Sequence, residues 1–141
     1  MNTRAPDPVI DAAAALDHAT RSWDHDIVAR LSHYIGIPSK SPLFDPQWAE
    51  NGHIETVLRD AADWVQAQQV SGLRLEIVRL AGRTPLLFFE VPASTGRRAD
   101  TEPAVSQQTV LMYGHMDKQP EFTGWRRDLG PWSAKYEDGR L

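Results

Sequence analysis

The sequence predicts a mixed α/β chain, and three observations carry that prediction. Apolar residues recur at helical spacing as far as Ser71-Gly72, and they alternate with charged residues from Leu73 to Ile77. Two short, largely apolar runs follow, Leu86 to Val91 and Thr109 to Tyr113. Helices therefore come first and strands after them.

The first helix is expected over Pro8 to Thr20, an Ala-rich stretch with Asp7 as cap and Pro8 at the first helical position. A second start follows at Ser22, with Asp24 and Asp26 in its first turn. Trp23, Ile27, Leu31 and Tyr34 or Ile35 fall on one face, and Gly36 and Pro38 end the helix. After the Ile37 to Pro42 loop, Asp45-Pro46 begins another helix, which Asn51-Gly52 weakens. Ile54, Val57, Leu58, Ala61 and Val65 then form an apolar stripe.

Leu73, Leu75 and Ile77 alternate with Arg74 and Glu76, as in a half-exposed strand. Leu86 to Val91 is more continuously apolar and is expected to be covered on both faces, with Gly82 to Pro85 as the turn between the two strands. Ser94 to Ser106 reads as a polar surface loop, its Arg97-Arg98 a solvated tip. Thr109 to Tyr113 reads as a buried strand that stops at Gly114-His115-Met116-Asp117. Asp138-Gly139 is a hairpin turn with only Arg140 and Leu141 after it, so the chain is expected to stop in mid-element.

Composition narrows the function. With 15 basic and 19 acidic side chains the net charge is −4, which offers no basic excess for nucleic acid or an anionic membrane surface. No apolar run approaches the ~20 residues of a membrane span, and the amino terminus lacks the apolar core of a secretory signal. A soluble, cytoplasmic protein is expected. Cysteine is absent, so a metal could be held only by His, Asp, Glu, backbone or water.

The sharpest constellation is His115-Met116-Asp117. In an open α/β sheet, ligands collect beyond the carboxyl ends of strands, where this tripeptide stands. Extended backbone would put His115 and Asp117 on one side, an imidazole facing a metal and a carboxylate orienting it. The tripeptide alone is weak, because five His in 141 residues give roughly 0.4 chance occurrences of His-x-Asp. For the tripeptide alone, a loop histidine capped by a nearby carboxylate is the simpler explanation. His18, His25, His33 and His53 lie on expected helices with no pair at i, i+4, and read as surface histidines. Trp23 and Trp64 fit buried helix stripes, and Trp125 and Trp132 are expected to pack a loop over the sheet.

The longer run changes the weighing. Val110 to Pro120, followed by Gly124-Trp125, Pro131-Trp132 and Asp138-Gly139-Arg140-Leu141, resembles the dinuclear zinc aminoacylase, carboxypeptidase and dipeptidase family of metallopeptidases. The long spacer with two tryptophans is most similar to the dipeptidase-like branch. A helix ending in Ile37-Pro38-Ser39 matches too, so the resemblance covers residues 22–141 and is specific from Val110 onward.

The resemblance implies an α/β fold, the amino-terminal part of an α/β/α zinc-peptidase catalytic domain with a mostly parallel central sheet. Residues 1–21 would be an amino-terminal helical extension and residues 22–141 an incomplete part of that domain. His115 would be a zinc ligand and Asp117 the carboxylate of the catalytic machinery that fixes the imidazole. The complete enzyme would hold two zinc ions bridged by a carboxylate and a water, with a glutamate as general base. It would hydrolyse small peptides or N-acyl amino acids, and it would dimerise. The bridging aspartate, the general base and the other ligands would lie beyond Leu141, leaving this piece inactive alone. Lys118 departs from the apolar residue of many relatives, and it either meets a substrate carboxylate or, more simply, points to solvent. The competing readings are a small noncatalytic binding domain derived from a peptidase, and a deacylase of amino-acid derivatives.

Overall fold

A computed structural model describes residues 11–92 and 109–141, which fall into two compact units. Asp7, Pro8, Arg97 and Arg98 lie outside the described residues, as does the expected loop from Ser94 to Ser106.

The first unit joins residues 11–37 to residues 122–141. Helix α1, Ala12–Ser22, is capped by Asp11, whose Oδ1 accepts the Ala13 and Ala14 N–H groups at 3.0 Å. No second start occurs at Ser22. The backbone passes through a wider π turn, Trp23–Ile27, and on into α2, Val28–Gly36. Ser22 keeps helical angles and makes no side-chain cap, so a residue type common at helix starts here continues one. Trp23, Ile27, Leu31, Tyr34 and Ile35 are the half-buried positions of the expected stripe.

Residues 122–141 form successive turns. Trp125 donates its indole N–H to the Phe122 carbonyl at 2.7 Å, and the Trp23 indole donates to the Tyr136 hydroxyl at 3.2 Å. Trp125 and Trp132 belong to the same unit as α1 and α2. Asp138 and Gly139 take φ of 51° and 73°, the pair of positive values of a type I′ turn, and close a Glu137–Arg140 bridge. Arg126 and Lys135 bind the carboxylates of Asp128 and Glu137, with Arg126 bidentate on Asp128 at 2.7 and 3.1 Å. These cations hold the Asp128 and Glu137 pKa values below the ordinary carboxylate range.

The second unit holds residues 38–92 and 109–121. Asp45 turns the chain into α3, Trp48–Asn51, by accepting from the Gln47 N–H and the Asn51 side chain. Gly52 then takes φ of 70°, which ends α3 and begins α4, His53–Ala67. The buried residues of α4 are Ile54, Val57, Leu58 and Ala62, so Ala62 takes the inner position expected of Ala61. Strand β1, Arg74–Val78, pairs antiparallel with β2, Leu86–Glu90, in the register Leu75 to Phe89 and Ile77 to Leu87. The α4 helix packs on this hairpin, and Glu55 binds Arg79 just beyond β1.

Two burial expectations fail here. Leu86, Phe88 and Phe89 of β2 are exposed rather than covered on both faces. Val110 to Tyr113 are 84–89% exposed, with no ladder partner among the described residues. Apolarity records what a strand is able to bury, whereas burial requires a neighbouring surface, and the hairpin and one helix provide little. Among the described residues the sheet is this antiparallel pair, and no parallel ladder extends it. Among the described residues, no helix is long and apolar enough to cross a membrane.

Candidate functional site

The chain around His115 is anchored from one side by a proline-flanked turn far away in sequence. Pro38 and Lys40 close that turn through a Lys40 N–H to Pro38 carbonyl bond of 2.8 Å, with Ser39 at its centre. The Ser39 carbonyl accepts the Lys118 N–H at 2.8 Å, and the Ser41 N–H donates to the Lys118 carbonyl at 2.9 Å. Together they make a one-residue parallel bridge between Lys40 and Lys118. The Ser39 hydroxyl also donates to the Met116 carbonyl at 3.2 Å. A further tie runs from the Lys40 ammonium to Glu121, 3.2 Å away.

His115 and Asp117 meet, as their spacing predicts. Nδ1 of His115 lies 3.0 Å from the Asp117 carbonyl oxygen and 3.2 Å from its Oδ1. Both neighbours are acceptors, so they favour the tautomer with a proton on Nδ1 and leave the Nε2 lone pair available. The imidazole is 65% exposed and the Asp117 side chain 35%. Hydrogen bonds, with little packing, therefore set the ring's orientation.

Lys118 is half-buried rather than fully solvated, and desolvation lowers its ammonium pKa from the ordinary lysine value. Its backbone joins the bridge to Ser39 and Ser41, so the position first serves chain pairing. His18, His25 and His33 are exposed, and His53 is half-buried at the start of α4.

The described residues contain no group of three or more His, Asp or Glu side chains that could hold a metal ion. A catalytic zinc takes three protein ligands and keeps one position open. The donor set present fits a single imidazole ligand with its supporting carboxylate and does not make a complete metal centre. The sequence singles out His115 and Asp117, whereas Ser39 enters it only as the end of the Ile37-Pro38-Ser39 stretch, with no link to them. Neither that stretch nor the small polar residue in the turn reveals a partner 77 positions later. No family model matches the chain, and no curated protein matches it significantly.

Proposed function

We propose that these residues carry the first ligand element of a zinc-dependent metallopeptidase of dipeptidase or carboxypeptidase type. Such a hydrolase cleaves the amide bond of dipeptides or N-acyl amino acids in the cytoplasm. One observation supports the reading most. The His115 ring gives Nδ1 to a backbone carbonyl and a carboxylate of the same residue, the arrangement that fixes a metal-ligating histidine with Nε2 outward. In this reading Asp117 orients the ring, and His115 offers Nε2 to the metal.

In a complete centre that His115 helps to hold, zinc would supply Lewis-acid chemistry toward the scissile carbonyl and the attacking water. The chain's own contribution is narrower: one lone pair, held at a fixed tautomer, at the end of an anchored segment. The remaining ligands and the general base belong to polypeptide other than the described residues, and no chemical step is completed by His115 and Asp117 alone.

The test is made on the protein as its native source produces it. Its intact mass is measured, and hydrolysis of a dipeptide and of an N-acetyl amino acid is followed with and without a zinc chelator. The expected result is a mass well above 15.8 kDa, chelator-sensitive hydrolysis, and loss of that activity in His115→Ala. Chelator-insensitive turnover, or full activity in His115→Ala, would sink the reading. The relative rates on the two substrates separate a dipeptidase from a deacylase.

A further inference from the structure

Ser39 is fully buried, and it is the single buried polar side chain among the described residues. A buried hydroxyl is costly unless it is bonded, and this one is spent on the Met116 carbonyl, the peptide lying between His115 and Asp117. The same residue's carbonyl holds the Lys118 N–H on the other side of Asp117. Both flanks of Asp117 are thus tied to Ser39, whereas the His115 ring is largely in solvent and gains little from packing.

We infer that Ser39 is a positioning residue for His115. Its hydroxyl and carbonyl fix the 116–118 backbone, which places the Asp117 carbonyl and carboxylate against Nδ1 and so sets the tautomer that presents Nε2. The inference rests on the reading of His115 as the metal-facing ligand, and it assigns that site a structural support 77 positions away. Removing the hydroxyl frees the Met116 peptide to rotate. Asp117 is then held on its Lys118 flank alone, its acceptors loosen against Nδ1, and the neutral ring drifts toward the Nε2–H form that a neutral exposed imidazole prefers.

The experiment uses the 141-residue chain, uniformly labelled with 15N, and reads the ring nitrogens of the five histidines. In Ser39→Ala the ratio of Nδ1–H to Nε2–H at His115 is expected to fall by about twofold or more. The rings of His18, His25, His33 and His53 and the amides of α4 and the hairpin stay in place. Ser39→Cys, which keeps the volume and a weaker donor, is expected to give an intermediate ratio. An unchanged His115 ratio in either variant overturns the inference, as does a change that moves all five rings together. Millimolar zinc chloride on the unmodified chain separates the two readings. A His115 ring that follows Ser39 yet ignores zinc leaves Ser39 as its positioner and removes the metal reading.

Discussion

Zinc is expected to bind the 141-residue chain at millimolar concentration and to be lost on dialysis. Structural sites with four ligands reach about 10–16 kcal/mol, or roughly 2.5–4 kcal/mol per ligand when shared evenly. The described residues supply one engaged imidazole and no cluster of three donors. On the scale where 1 mM corresponds to about 4.1 kcal/mol, a single ligand gives a Kd of roughly 1–15 mM. The assay is equilibration with equimolar zinc, dialysis against metal-free buffer, and elemental analysis of the retained metal. In parallel, a zinc titration followed by ring NMR should perturb His115 at Nε2. One equivalent of zinc surviving dialysis would refute the reasoning, since it requires ligands that the described residues do not bring together.

Other outcomes follow from the fold. Val57 is 1% exposed, so Val57→Ala removes two buried methyl groups and should cost about 2–3 kcal/mol in urea unfolding; a loss under about 0.5 would contradict the placement of the core on α4. Gly52 has φ of 70° with nothing within 4 Å of an added Cβ, so Gly52→Ala should cost about 1 kcal/mol from backbone strain alone. Hydrogen bonding by Arg79, with Arg59 assisting, lowers the Glu55 pKa below its usual 4.5. That contribution is present above the unfolded-state pKa and is lost as the pH falls through the folded one, so the chain should lose more stability than Glu55→Gln when acidified below about pH 4.5. Matching acid-unfolding curves for the two would disprove it.

Local signals were legible where one residue type decides the geometry. Gly52 and the Asp138-Gly139 pair take the positive φ values their sequence announces. The alternation of Leu75 and Ile77 with Arg74 and Glu76 survives as a half-buried face opposite an exposed one. The contact between His115 and Asp117 was legible because an i, i+2 pair needs only an extended backbone to meet. What failed depended on distant neighbours. Thr109 to Tyr113 has the composition of a buried strand, yet no period within five residues reveals whether another surface arrives to cover them. Ser22 carries a cap residue in a place where tertiary context continues the helix. Ser39 was invisible as a support because its partner lies 77 positions along the chain.

That same separation governs when the site appears during folding. Closing a loop of 77 residues costs about 4 kcal/mol of chain entropy beyond a constant, against about 2.5 kcal/mol for the β1–β2 hairpin, whose ends lie 16 positions apart. The hairpin and the helix against it can assemble from local contacts, so the Ser39–Met116 join belongs to the late, non-local events. Pulse-labelled hydrogen exchange at the Lys118 amide, compared with the amides of α4, reads that order. The His115 tautomer is therefore a product of completed folding, and a chain that stalls with its hairpin formed carries the imidazole without its orientation.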